Sequence, residues 1–307
     1  MHTAPLTGLV AATFTPFLPD GSICFDRIPQ LTDHLVANGV AGLYICGSTG
    51  EAPSLTREER MAVAEAYVKA AAGRLRTVVH IGHTCLVDAR ALGEHAASIG
   101  ADVISAIAPY YFKPANTGEL IDYLAEVAAS APDLPFYYYH IPALTGVAVD
   151  PVDFLRLGGA PIPTLRGIKF TDSNLALMNA CQTVADGRFD VLFGRDEMLL
   201  SALAAGARGA VGSTYNLTPA LYGRIMDAFD RGDLESARDL QRRSVDMIRA
   251  IIAIGGEAAI KYPMHRFGLD CGQRRLPMKQ LSPDEMQAID RELDAIGFDD
   301  WAARSTS

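Results

Sequence analysis

Lys169 stands inside the run LRGIKF (165–170), between Ile168 and Phe170. Lysine is among the residues least often buried. The chain has only five: Lys69, Lys113, Lys169, Lys261 and Lys279. Side chains alternate along a strand, so if Ile168 and Phe170 face a helix layer, Lys169 and Thr171 face the opposite side. An amine taken out of water has a lowered pKa and offers a neutral nucleophile. It can condense with a ketone, and the resulting iminium draws electrons from the neighbouring carbon, so that a C–C bond breaks or forms. The alternative is a lysine that pairs with a buried carboxylate or reaches the rim along its own stem.

Other residues could serve that chemistry. The turn GSTGE (47–51) combines the Ser48 and Thr49 hydroxyls with backbone N–H groups opened by Gly47 and Gly50. Such a turn holds a carboxylate, or else its hydroxyls cap a helix. Tyr139 ends the run PFYYYH (135–140). A phenol there moves protons beside a lysine-bound substrate, or is a buried tyrosine bonded to backbone. Asp196 and Glu197 accept bonds from substrate hydroxyls, act as an acid/base pair, or cap a helix. His80 and His83 form HxxH, a spacing too common to define a metal site without a third ligand. Structural or pocket-lining roles fit them better, and no metal is expected.

These residues need a scaffold. Eight short apolar runs recur: 8–14, 42–46, 77–81, 102–108, 135–140, 165–170, 190–194 and 209–213. They are continuous rather than alternating, as parallel strands covered on both faces are. Helical patterns fill the gaps, as at 57–73, 87–100 and 118–132. Eight βα units predict an α/β fold, a (β/α)8 TIM barrel. An open doubly wound sheet is the rival, but no GxGxxG follows an early strand. After residue 214 only helical patterns remain. The expectation is a barrel over 1–230 and a C-terminal helical extension over 231–307 packed on it. Barrel function gathers at the C-terminal ends of strands. Polar clusters sit there at 46–51, 108–114, 139–146, 169–174, 194–197 and 212–216.

Composition narrows the partners. The net charge is −9 at pH 7, which argues against nucleic acid or an anionic membrane. Cys24, Cys46, Cys85, Cys181 and Cys271 are scattered without a CxxC, the pattern of reduced thiols in a cytoplasmic protein. The start MHTAPLTGLV has no basic region followed by a long apolar run, so no signal peptide is expected.

Together GSTGE (47–51), Y-x-x-P at Tyr139 to Pro142 and GIKFTD around Lys169 resemble the pyruvate-dependent class I aldolases, the family that includes dihydrodipicolinate synthases and N-acetylneuraminate lyases. The resemblance spans roughly residues 8 to 300. The stretches 8–17, 134–147 and 192–216 are similar to its lyase branch, particularly the animal type. The resemblance implies a (β/α)8 barrel, usually a homotetramer, acting on a 2-keto sugar acid and pyruvate without a cofactor. It implies that Lys169 forms the Schiff base, Tyr139 shuttles the proton, and Ser48 and Thr49 hold the pyruvyl carboxylate. Thr171, Gly194, Asp196, Glu197 and Ser213 then line the groove for the sugar-derived tail. Tyr111 resembles a tyrosine that in some members reaches an adjacent subunit's site. The implied reaction is cleavage of N-acetylneuraminate to N-acetylmannosamine and pyruvate. Leu144 stands where the synthases carry an arginine for an acidic second substrate, which argues against that branch. Glu257 stands where lyases usually place a small or apolar residue, so another sugar acid is an alternative. A non-catalytic barrel that binds a keto acid is the rival of another class.

Overall fold

The computed structural model describes residues 4–302; residues 1–3 and 303–307, the outer ends of the two expected spans, lie outside the described part. Each apolar run coincides with one strand, β3 starting one residue ahead of its run: β1 (Gly8–Ala12), β2 (Gly42–Ile45), β3 (Arg76–His80), β4 (Val103–Ile107), β5 (Phe136–His140), β6 (Leu165–Phe170), β7 (Asp190–Phe193) and β8 (Gly209–Gly212). All are parallel and pair in chain order, and β8 closes onto β1. The open doubly wound sheet is thereby excluded. Most strands differ by a residue or two at their ends from the apolar runs. Beyond Ala12, for example, Thr13 N–H still reaches Tyr44 O at 3.1 Å before the chain leaves the sheet.

The helices are α1 (Arg27–Ala37), α2 (Arg57–Ala71), α3 (Leu86–Ser98), α4 (Thr117–Ala128), α5 (Pro142–Thr145), α6 (Pro151–Gly158), α7 (Leu175–Thr183), α8 (Leu199–Ala204), α9 (Pro219–Asp230), α10 (Leu234–Gly255) and α11 (Pro283–Ala295). The local sequence explains several starts. Thr56 caps α2 in a reciprocal pair with Glu59, and Ser282 does the same for α11 with Glu285. Pro142, Pro151 and Pro219 occupy first turns, where no N–H is needed. The eighth barrel helix is α9. Then α10 packs along α9, and α11 packs on α10.

Strand alternation divides the buried residues into two sets. Leu43, Ile45, Ile104, Phe136, Tyr138, Ile168, Phe170, Val191 and Phe193 face outward and join the helices in the main core. Val10, Ala12, Tyr44, Val78, Val103, Tyr137, Tyr139, Leu192 and Val211 face inward and fill the barrel. Lys169 follows the inward parity of Tyr139, its partner across the β5–β6 ladder. The barrel interior is packed rather than hollow, so its upper layer becomes the floor of a site.

Candidate functional site

Two of the five lysines are buried. Lys169 is 4% exposed and Lys261 1%. They answer the question of a buried lysine in opposite ways. Lys261 pairs with Glu51 at 2.8 Å. Lys169 has no carboxylate within 4 Å among the described residues; its Nζ instead lies over two rings, 4.0 Å from the centre of Tyr44 and 3.9 Å from that of Tyr139. Burial holds its pKa below the ordinary lysine value, while Tyr139 and Asp196 pull the other way. Burial thus favours the neutral amine, while the two ring faces and the Tyr139 hydroxyl favour the ammonium form.

Both rings are fixed. They meet edge to face, with centres 5.6 Å apart. Tyr44 OH bonds to Ser105 Oγ at 2.9 Å, and Ser105 in turn donates to Tyr137 O at 2.8 Å. The Ser105 proton is committed, so Tyr44 is the donor of that pair, and its phenol proton is turned away from Lys169. Tyr139 OH faces Ser48 Oγ at 3.5 Å. It is therefore the phenol available for proton transfer. His80 is T-shaped to Tyr139 with ring centres 6.0 Å apart, but both of its ring nitrogens are engaged elsewhere. Its Nδ1–H donates to Cys46 O at 2.9 Å, and its Nε2 accepts from Ile107 N–H at 3.3 Å. Burial, and then the Arg60 cation, push its pKa well below the usual histidine value, so it remains a neutral structural ring. His83 is separated from it, accepting from Cys85 N–H.

The turn after β2 is shaped by close approach. A Cβ on Gly47 would sit 2.7 Å from Tyr44 Cε1. The turn is tied to the far side of the mouth by Thr49, whose Oγ1 meets Ser213 Oγ at 2.5 Å. Ser48 is half-buried beside Tyr139. The expected carboxylate loop, phenol and lysine thus converge.

The end of β7 supplies the other wall. A Cβ on Gly194 would lie 2.0 Å from Thr171 Oγ1, so the bare glycine lets β6 and β7 close at their tops. Asp196 is 7% exposed. Its Oδ2 accepts both Thr214 N–H at 2.7 Å and Thr214 Oγ1–H at 2.6 Å, leaving Oδ1 as its spare acceptor. Burial raises its carboxyl from 3.8 to about 6, with the Thr214 bonds opposing. Glu197 is half-buried and paired with Arg195 Nη2 at 2.9 Å. The pair Asp196/Glu197 is thus split, one carboxylate in the barrel mouth and the other neutralised by its neighbour.

Tyr111 does not join this cluster. It is 77% exposed, packed edge-on against Phe112 with ring centres 5.0 Å apart, and no hydrogen bond or ring contact links it to Lys169, Tyr139 or Ser48. A catalytic part for it within one chain has no geometric basis. Glu257 is exposed and lies near Arg274, whose pKa burial lowers while Glu51 and then Glu257 oppose the shift. Leu144, on α5, is 66% exposed. Residues that the sequence did not single out are Tyr44, Ser105, Arg60 and Arg195. For Tyr44 a signal existed: it has the inward parity of β2, opposite to Leu43 and Ile45.

A closed (β/α)8 barrel with a desolvated amine, a phenol facing Ser48 and a hydroxyl-bearing turn at its C-terminal mouth has the form of an enzyme site. The family model of the dihydrodipicolinate synthetase family matches residues 5–296. N-acetylneuraminate lyase of Sus scrofa is 43% identical over 303 residues, covering 96% of this chain and 95% of that protein. The native structure of N-acetylneuraminate lyase (sialic acid aldolase) from Aliivibrio salmonicida superposes with a TM-score of 0.94 at 38% identity, over 96% of this chain and 98% of that one. The Proteus mirabilis N-acetylneuraminate lyase gives 0.93 at 37% identity, over 96% and 100%. The chain belongs to the dihydrodipicolinate synthetase family.

Proposed function

We propose that this protein is a Schiff-base-forming class I aldolase, a carbon–carbon lyase that cleaves N-acetylneuraminate to N-acetylmannosamine and pyruvate. The observation that carries the reading is Lys169: a buried amine between two tyrosine rings, with no carboxylate within ion-pair distance among the described residues. A lysine kept for structure has the surroundings of Lys261 instead. The choice of substrate is supported by the named lyase relatives and by Leu144, which offers no cation to an acidic aldehyde.

The reaction follows from the groups in place. The Lys169 amine adds to the C2 ketone of the open-chain sugar acid, and loss of water gives the iminium. Ser48 and Thr49 receive the carboxylate next to that carbon. Tyr139 takes the proton of the C4 hydroxyl, directly or through the substrate carboxylate. The C4–O bond becomes a carbonyl as the C3–C4 bond breaks, and its electron pair passes through the enamine into the iminium nitrogen. N-acetylmannosamine leaves. The enamine is protonated at C3, and water hydrolyses the iminium to pyruvate and free Lys169. The iminium is the electron sink, so the chemistry calls for no cofactor. Thr171, Gly194, Asp196 and Ser213 form the wall available to the tail hydroxyls, with Asp196 Oδ1 as acceptor. Glu197 faces them only if its link to Arg195 yields. The scattered thiols suit the cytoplasm. The exposed Tyr111, Phe112 and Leu144 suit an interface of the homotetramer that the resemblance implies.

Borohydride reduction in the presence of pyruvate, and separately of N-acetylneuraminate, followed by intact mass and peptide mapping, tests this. The expected result is the same pyruvyl adduct on Lys169 from both, absent in Lys169→Ala, which keeps its circular dichroism but loses turnover. An adduct from pyruvate alone discards the sialic acid assignment. No adduct from either overturns the mechanism.

A further inference from the structure

The second buried lysine belongs to a connection between the C-terminal extension and the mouth of the barrel. Lys261 follows α10, and its Nζ reaches Glu51 Oε1 at 2.8 Å and Thr15 O at 3.3 Å. Glu51 closes the GSTGE turn. Its other oxygen, Oε2, accepts the Arg275 N–H at 3.0 Å. Within the turn, Glu51 N–H donates to Ser48 O at 3.1 Å, Ala52 N–H donates to Gly47 O at 3.3 Å, and Thr15 Oγ1 donates to Gly50 O at 2.7 Å. Glu51 also has φ +58, a left-handed conformation that glutamate rarely adopts. The Arg275 guanidinium secures the surroundings, donating to Gly21 O and Ser54 O and pairing with Glu59 at the start of α2. Lys261 and Arg275 both stack over Phe17, at 4.4 and 4.7 Å.

A fully buried ion pair is weak evidence of stability, because an apolar pair of the same volume often serves as well. What such a pair specifies is a unique geometry. Here the specified atom is one hydrogen bond away from Ser48, in a residue held against its backbone preference.

We infer that Glu51, held by Lys261 and the Arg275 backbone, is a positioning residue that sets the Ser48–Thr49 turn to receive the substrate carboxylate, and that the C-terminal extension is thereby part of the site. The inference rests on the reading of Lys169 and of this turn given above. Glu51 touches no substrate atom; it acts through the Glu51 N–H to Ser48 O bond. Without its clamp the turn relaxes and the carboxylate loses its donors, while the Lys169 amine and Tyr139 stay where they are.

The test is the pyruvate concentration that half-saturates borohydride trapping, measured on the full chain for wild type, Glu51→Gln, Glu51→Asp and the Glu51→Gln/Lys261→Gln double variant. Glu51→Gln removes one charge and strands the Lys261 cation, with the buried Arg274 cation beside it. Glu51→Asp keeps the charge but shortens the reach by one methylene. Both are expected to raise half-saturation by about tenfold to about a hundredfold, the size of a small misplacement. Trapping at saturating pyruvate stays within about threefold, since the interaction lost is one of binding. The double variant, relieved of the stranded Lys261 charge and still able to form a hydrogen bond, recovers part of the loss. A merely structural role would lower trapping at all concentrations together with the circular dichroism signal. Single variants that fold and half-saturate like wild type overturn the inference. If Glu51→Gln fails to fold, Glu51→Asp decides by the same criterion. Wild-type protein that traps no pyruvate overturns the reading of Lys169, and this inference with it.

Discussion

Asp196 offers a test of whether the site is held at a cost to stability. Its carboxyl is raised from 3.8 to about 6 by burial. A carboxyl whose folded pKa exceeds its unfolded value binds its proton more tightly in the native state. Its contribution is therefore favourable when protonated, and it falls as pH rises from the unfolded to the folded value. At neutral pH the ionised group costs about 3 kcal/mol, from roughly two pKa units at about 1.4 kcal/mol each. Asp196→Asn removes that cost. Both Thr214 bonds end on the same oxygen, Oδ2, so the amide carbonyl can accept both of them. The variant should thus gain stability relative to wild type, and the gain should grow with pH. Urea denaturation at about pH 5 and about pH 7.5 measures it. Only the part of the window between pH 5 and the folded pKa is crossed, so the gain should widen by about 1.4 kcal/mol between the two conditions. Titrating groups that do not interact with Asp196 cancel in the difference. Cleavage of the sugar acid should fall in the same variant, because Oδ1 no longer accepts with a full charge. A variant less stable than wild type by the same amount at both pH values would refute the reasoning. It would mean that the charge of Asp196 holds Thr214 in place rather than resisting burial.

Two further perturbations probe the amine and the strand tops. Tyr44→Phe keeps the ring over Lys169 and loses the bond to Ser105, so it should cost about 1 kcal/mol of stability and leave the pH midpoint of adduct formation unchanged. Tyr44→Leu removes a desolvated ring worth about 1–2 kcal/mol to the ammonium form and should lower that midpoint by about a unit, readable from trapping rates across pH. Gly194→Ala places a Cβ 2.0 Å from Thr171 Oγ1 and 2.9 Å from Thr171 Cβ. Denaturant unfolding should show a loss of about 1–3 kcal/mol, partly recovered when Thr171→Ala is added.

Much of this protein is legible in its chain. Eight apolar runs of strand length, separated by helical stretches, point to a parallel sheet of eight βα units, because parallel strands covered on both faces read as continuously apolar. Parity within β6 alone turns Lys169 inward, and the turn residues of GSTGE are adjacent in the chain, so local pattern identifies both. Local pattern fails wherever the decisive contact is long-range. Lys169 and Lys261 look alike as letters, yet Lys261 meets Glu51 across 210 positions while Lys169 meets two rings. Tyr139 and Tyr44 are both inward tyrosines, and only the hydroxyl of Ser105 decides which phenol is engaged. Asp196 and Glu197 are neighbours in sequence, but closure of the barrel gives one to Thr214 and leaves the other to Arg195. Tyr111 sits beside the right strand end and still projects into solvent, because a loop residue is placed by what packs on it. Periodicity and residue type thus determine the strands, their inward faces and the inward placement of Lys169. The protonation state and partner of each polar group were decided by the closing of the barrel and the docking of the C-terminal helices, since burial and charge pairing depend on distance in space rather than along the chain.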